Sequence, residues 1–311
     1  MRTTSFHSIS PDDRAAVAGL RAAVLPMKGQ VRDPAGRAAY DAIIAHVAPP
    51  KGVDYEPDTI GGIPGWWCHP QTGRLAGTIL YLHGGWYMMG SAKAYRHLAG
   101  HIAASAGASA FVPDYRLAPE HPFPNAVLDG EAVYRDLLNR GTARIALAGD
   151  SAGGGLALTL LARTSAPTAP HASRPVGAVA LSPVTDLTLS GESWTSRADA
   201  EFFFTRSQAE ALVAAYVAPA EARDPRASPL YGDLTGLPPV EIIVGDAETL
   251  LDDSVRYAGR ATAAGVDARL DIWEGMPHGF LTSVKQLRAA DDALAVAGTF
   301  LAERFAGHRE R

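Results

Sequence analysis

At 311 residues, 47% of them hydrophobic and 20% charged, the chain has the make-up of one large α/β domain with at most a small appendage. A net charge of −5 with no basic stretch excludes a nucleic-acid-binding surface. The one cysteine, Cys68, cannot form an internal disulfide and reads as a small strand residue; no Cys/His cluster has structural-zinc spacing, and no run approaches the roughly 20 apolar residues of a membrane span.

Residues 1–10 lack the apolar core of a signal peptide, so a reduced, cytoplasmic compartment is the default expectation. Pro11-Asp12-Asp13 then supplies a helix start, with Ala16, Leu20, Ala23 and Val24 on one face. A second helix is predicted over 34–47, before Pro49-Pro50-Lys51-Gly52 breaks the pattern. Two helices ahead of any sheet strand read either as an N-terminal cap or as a peripheral pair packed for stability. Residues 53–60, a Gly61-Gly62 turn and residues 63–69 form a predicted hairpin.

Strands and helices alternate from there. Strands are predicted at 77–82, 109–114, 144–149, 176–181, 240–244 and 269–273, and helices at 92–106, 125–139, 154–164, 249–264 and 286–305. Short, nearly all-apolar strands alternating with amphipathic helices predict an α/β fold, a mainly parallel central sheet covered on both faces, with the hairpin as an antiparallel edge. An unpaired edge of such a sheet offers a route to a homodimer. Residues 186–233 interrupt the alternation with no clear strand, the run Phe202-Phe203-Phe204 and a helix-like segment over 207–217. An insertion of this length reads as a functional loop or lid.

Gly149-Asp150-Ser151-Ala152-Gly153 sits where the strand at 144–149 meets a helix. A serine between glycines at such a junction has the form of a nucleophile elbow: the turn is too tight for side chains at the flanks, and the helix N-terminus offers amides to a nearby oxyanion. A serine hydroxyl needs a base, and the base needs an acid to fix its tautomer. Reactive groups in these sheets gather at the carboxyl ends of strands, which sorts the ten histidines. His278, in a loop just after the strand ending at Trp273, is the candidate base; His97 and His101 lie within a helix, His7 and His308 near the termini, and His69 and His171 in polar or proline-rich connections. The loop after the strand at 240–244 offers Asp246 and Glu248 as the acid, with Asp252 and Asp253 at the start of the next helix, where carboxylates also favour the helix dipole. The order serine, acid, histidine is that of the α/β-hydrolases. Directly after the strand at 77–82, His83-Gly84-Gly85-Trp86 reads as an oxyanion-hole loop working with the amide of Ala152, and His83 reads as a brace for that loop.

With these residues in place, the chain resembles the hormone-sensitive-lipase-like esterases of the α/β-hydrolase fold. The motifs that carry the resemblance run from about Gly77 to Phe280: His83-Gly-Gly-Trp-Tyr-Met-Met-Gly90, Asp114-Tyr-Arg-Leu-Ala-Pro-Glu-His-Pro-Phe-Pro124, Gly149-Asp-Ser-Ala-Gly-Gly154, Leu250-Leu-Asp-Asp-Ser254 and His278-Gly-Phe280. The resemblance implies hydrolysis of small carboxylic esters, of short to medium acyl chains, with no metal or cofactor. It also implies a helical cap segment at residues 1–50 and a catalytic domain at 51–311 with a cap insertion at 186–233. Asp114, Arg116 and His121 fall in a stretch that resembles fold support and not chemistry.

Two positions depart from the family pattern. The last glycine of its HGGG loop is Trp86 here, so the amide can still donate only if tryptophan accepts the backbone angle, and the indole would shape the pocket. The usual acid is an Asp of a D-P-L-x-D-E pattern; laying Glu248-Thr-Leu-Leu-Asp-Asp253 on it puts Glu248 in that place, with Asp246 as the rival. The implied mechanism has Ser151 attacking the ester carbonyl, His278 moving the proton and Glu248 steadying the imidazolium. Amides of Gly85, Trp86 and Ala152 hold the oxyanion while Gly84 sets the loop path. The same machinery also fits a lactone or a formamide-type amide, and a non-catalytic receptor on this fold is the third reading.

Overall fold

The structure, a computed structural model, describes residues 3–30, 33–71, 76–165 and 173–307. Its strands are β1 (Thr3–His7), β2 (Val53–Ile60), β3 (Ile63–Pro70), β4 (Thr78–Leu82), β5 (Ser109–Pro113), β6 (Ile145–Asp150), β7 (Ala178–Leu181), β8 (Val240–Gly245) and β9 (Ala268–Trp273). They form one 9-stranded sheet in the order β1-β9-β8-β7-β6-β4-β5-β3-β2. Every pairing from β1 through β5 is parallel, and β3 and β2 add the antiparallel edge. The helices are α1 (Pro11–Val24), α2 (Arg37–Ile44), α3 (Ala92–Ala106), α4 (Asn125–Asn139), α5 (Ala152–Thr164), α6 (Ser193–Ser196), α7 (Arg206–Tyr216), α8 (Leu251–Ala263) and α9 (Arg288–Gly307). This is the α/β-hydrolase architecture that the sequence predicts.

The strand sequences follow from having both faces covered. In β4, Ile79 and Tyr81 enter the core beneath α3 and α9, while Leu80 and Leu82 enter the core on the opposite face with α4, α5 and α8. No position is left for a polar residue facing water, so β4 reads as a continuous apolar run. Each such buried Leu or Ile contributes about 1.5–3 kcal/mol. In β6, Ala146 and Ala148 face the core beneath α3 and α9, while on the other face Gly149 lets the start of α5 come close, a Cβ there lying 2.4 Å from Gly153 O; the strand-to-helix turn at residue 151 thus falls in the middle of the carboxyl edge.

One expectation is corrected at the N-terminus. The two helices do not precede every strand: β1 comes first and pairs in parallel with β9, from Thr3 opposite Arg269 to His7 opposite Trp273. At the sheet edge β1 needs no apolar run, and Phe6 is 77% exposed. What holds its end is His7, which stacks on Trp273 at 3.9 Å and places Nε2 2.5 Å from Asp271 Oδ1. His69 likewise lies in β3 and not in a connection, with Nδ1 2.9 Å from Ser109 Oγ, whereas His171 and His308 lie outside the described residues.

Ser10 caps α1 by accepting from the amide of Asp13, with Pro11 at the first helical position. Asp13 is the buried residue of α1, and its carboxylate accepts from the amides of Arg288 (2.8 Å) and Ala289 (3.2 Å) at the start of α9. The helix over 34–47 resolves into a 3-10 turn at Pro34–Gly36 and then α2. Residues 186–233 contain α6, α7 and two 3-10 turns, and no strand among the described residues. Asp13→Ala leaves two helix-end amides without their acceptor, and a thermal unfolding curve should show a lower Tm, equivalent to about 1–2 kcal/mol.

Candidate active site

The elbow is built from contacts that exclude side chains. A Cβ on Gly149 would lie 2.4 Å from Gly153 O, and one on Gly153 would lie 2.0 Å from Leu82 O. Ser151 between them has φ 54° and ψ −121°, a sparsely populated conformation for a residue with a Cβ. Its backbone is pinned on both sides: Ser151 N donates to Leu181 O (2.8 Å), and Ser151 O accepts from Val184 N (2.9 Å). The hydroxyl therefore stands at the carboxyl edge of the sheet, where the residue is only 6% exposed.

His278, in the loop after β9, places Nε2 3.1 Å from Ser151 Oγ and Nδ1 2.6 Å from Glu248 Oε2. Glu248, in the loop after β8, is fully buried, and its Oε1 accepts from Ser182 Oγ (2.7 Å) and Gly245 N (2.8 Å). Asp246 points elsewhere: its Oδ1 accepts from Gly275 N at 2.6 Å, tying the loop after β8 to the loop after β9. The structure thus brings Ser151, His278 and Glu248 together and leaves Asp246 as a loop tie. Asp252 and Asp253 do more than favour the dipole of α8. Asp252 accepts from Ser193 N, and buried Asp253 accepts from the amides of Thr185 and Asp186, fastening the start of the insertion.

The loop after β4 divides its amides. Gly84 N donates to Asp150 Oδ1 at 2.9 Å, whereas the amides of Gly85, Trp86 and Ala152 donate to no acceptor among the described residues. With its amide taken up by Asp150, Gly84 shapes the loop, and a Cβ there would lie 2.2 Å from Asp150 Oδ2. Gly85 has φ 113°, and Trp86 and Tyr87 follow at 56° and 59°, so tryptophan does occupy the left-handed angle a glycine would favour. The indole is buried against Phe204 (5.5 Å, edge-on) and Trp194 (6.3 Å), and Phe204 meets the His278 ring edge-on at 5.3 Å. His83 is sandwiched between Tyr95 and Tyr115, with Nδ1 2.8 Å from Gly84 O; burial pushes it down to about 4, so it braces the loop as a neutral ring.

Electrostatics at the base oppose each other. Burial alone would hold His278 below its ordinary 6.5, but the Glu248 carboxylate beside it, with Glu201 and Asp150 further off, raises it above that value. Glu201, in the insertion, is buried with Oε1 accepting from Phe203 N, and burial raises its carboxyl. Asp150 is pushed up to about 6 by burial, offset in part by the Tyr81 hydroxyl at 2.9 Å. Sequence reasoning assigned no role to Ser182, Glu201 or Asp150. The signal for Asp150 was present as a carboxylate next to the elbow serine at the end of an apolar strand.

A hydroxyl, an imidazole and a buried carboxylate in this chain can move one proton away from Ser151, and three free amides nearby can receive a developing negative charge. Among the described residues, no group of three or more His, Cys, Asp or Glu is placed to hold a metal ion, and no helix is long and apolar enough to cross a membrane.

A family model described as the alpha/beta hydrolase fold matches residues 79–282. The chain is 40% identical over 247 residues to an acetyl-hydrolase of Streptomyces hygroscopicus, spanning 78% of this chain and 81% of that one. It is 35% identical over 225 residues to an esterase of Acinetobacter venetianus, spanning 71% and 73%. Among solved structures, an esterase from the bacterial hormone-sensitive lipase (HSL) family matches with a TM-score of 0.87 at 36% identity, over 95% of this chain and 99% of that one.

The ring of His278 should titrate above 6.5 in an NMR pH series, and Glu248→Gln, which removes the neighbouring carboxylate charge, should bring it down. Because the fold favours the charged ring, this pair stabilises the protein below 6.5, and the contribution fades as pH rises through the raised value.

Proposed function

The chain belongs to the hormone-sensitive-lipase-like esterases of the α/β-hydrolase fold and is a carboxylic ester hydrolase, and from this we propose that it acts as a serine esterase through an acyl-enzyme on Ser151. The observation that carries the reading is the position of His278, 3.1 Å from Ser151 Oγ on one nitrogen and 2.6 Å from Glu248 on the other. Ser151 Oγ attacks the ester carbonyl as His278 Nε2 takes its proton. The amides of Gly85, Trp86 and Ala152 hold the tetrahedral oxyanion, and Glu248 stabilises the imidazolium. His278 then protonates the departing alcohol. Water, deprotonated by the same ring, attacks the acyl-enzyme and releases the acid.

The N-terminal segment and the insertion form the cap over this site. Arg21 donates to the carbonyls of Asp199 (2.6 Å) and Ala200 (2.8 Å), Lys28 donates to Ala198 O, and Gly29 N donates to Gln208 Oε1, so the two pieces close as one cover. Within the range of short to medium acyl chains, the buried aromatic group of Trp86, Trp194 and Phe204 favours the short end, because it fills volume beside the oxyanion loop and the base.

Hydrolysis of a p-nitrophenyl ester series from acetate to laurate tests the reading. Wild type should turn over the short members, and Ser151→Ala should lose at least about 10⁴-fold in kcat. Turnover retained by the alanine variant would overturn the assignment. The rate should fall with decreasing pH through the raised His278 value, since only the neutral ring accepts a proton. In the same series, Trp86→Gly should lower the preference for acetate over hexanoate by roughly 10-fold or more; an unchanged ratio would remove Trp86 from the pocket.

A further inference from the structure

Helix α2 is linked to the two ends of the oxyanion loop, directly through Arg37 and through Tyr95 and Asp150 from Tyr40. At the near end, Tyr40 OH lies 2.7 Å from Tyr95 OH, Tyr95 also reaches Asp150, and Asp150 Oδ1 accepts from Gly84 N at 2.9 Å. At the far end, one turn earlier on the same helix face, Arg37 Nε donates to the carbonyl of Met88 at 2.8 Å. The same guanidinium donates to Ala118 O (2.8 Å) and forms a two-point pair with Glu120 (2.7 and 2.9 Å). Ala118 N in turn donates to Tyr87 O at 2.9 Å.

The loop has little of its own to hold this shape. Its internal backbone bonds are those from Met88 N and Met89 N to Gly85 O, and two successive residues with side chains, Trp86 and Tyr87, carry left-handed φ angles. Backbone conformations of this kind persist only where the surroundings over-determine them. The carbonyl of Tyr87 is fixed by the 118–120 segment, and the carbonyl of Met88 is fixed by Arg37, which binds that segment as well. An oxyanion hole works through donors already aimed before charge develops, so slack in this loop reaches the reaction directly.

We propose that Arg37 is a positioning residue of the oxyanion hole, holding the strained loop of Gly85 and Trp86 through the carbonyl of Met88, so that α2 takes part in catalysis and is not only a cover. The proposal rests on the serine-esterase reading of the same site. It places the effect in the transition state, where the oxyanion exists, and not in ground-state binding of the ester.

The test compares Arg37→Ala, Arg37→Lys and Glu120→Gln in the full chain, using p-nitrophenyl acetate and a trifluoromethyl ketone that forms a tetrahedral adduct with the serine. Arg37→Ala should lower kcat roughly 10- to 100-fold with KM nearly unchanged, and should weaken the ketone by a similar factor. Arg37→Lys, which keeps one donor for Met88 O but loses the fork, should recover part of that loss. Glu120→Gln, which removes the ion pair but leaves Arg37 on Met88, should stay close to wild type in kcat. If Arg37→Ala does not fold, the kcat and ketone affinity of Arg37→Lys against Glu120→Gln decide the matter. A folded Arg37→Ala with a lower Tm but wild-type kcat and ketone affinity would overturn the proposal, as would equal losses in Arg37→Lys and Glu120→Gln. Failure of the underlying reading looks different: wild type itself would not hydrolyse the ester, and the clamp would fall with it.

Discussion

A carboxylate with no exposure to water needs donors on every side, and the buried Glu248 side chain has three, from Ser182, Gly245 and His278. Removing any one leaves the charge only partly compensated in a low-dielectric setting, which is more costly than losing a surface contact. The donors come from the ends of β7 and β8 and from the loop after β9, so satisfying this one group fixes three neighbouring strand ends relative to each other. The proposed proton path then needs only the adjacent end of β6, and the parallel order of the sheet supplies it. The same compensation explains how His278 is held above its ordinary value although burial opposes its charge.

Strain is the second constraint. Ser151, Trp86, Tyr87 and Ser182 all carry positive φ, and all lie at carboxyl ends of strands or just beyond them. Each is held from outside: Ser151 by backbone bonds to Leu181 and Val184, Ser182 by its amide on Ile243 O, and the Trp86–Tyr87 pair by Ala118 and the neighbouring loop contacts. Glycines take the positions where a side chain would strike backbone, as at Gly153 against Leu82 O. In this arrangement the rigid sheet carries the cost of a turn that no isolated segment would adopt.

The elements that could be read from the chain are those whose information is contiguous. An apolar strand run, a glycine-flanked serine and a following helix occupy adjacent residues, and local sterics dictate their shape. His278 and Glu248 were reachable because both lie just after strands whose apolar runs are plain. The choice between Glu248 and Asp246 needed the family pattern, since both lie in one loop and only the side-chain directions separate them. Ser182 could not be read, because it meets Glu248 across 66 residues and looks like any strand-ending serine. Arg37 is similar: its partner carbonyl lies 51 residues away, and a carbonyl leaves no mark in the sequence. Strand β1 escaped because a short edge strand that pairs through its backbone needs no apolar run, and Phe6 stands in solvent.

The central claim is that Ser151 becomes acylated, and the most direct measurement is a rapid acid quench of the enzyme during turnover of an activated acetate, followed by peptide mass spectrometry. The account predicts an acetyl group on the peptide containing Ser151, appearing no later than the first burst of alcohol. Turnover that proceeds with the label on another side chain, or with no covalent label at any quench time, would contradict it.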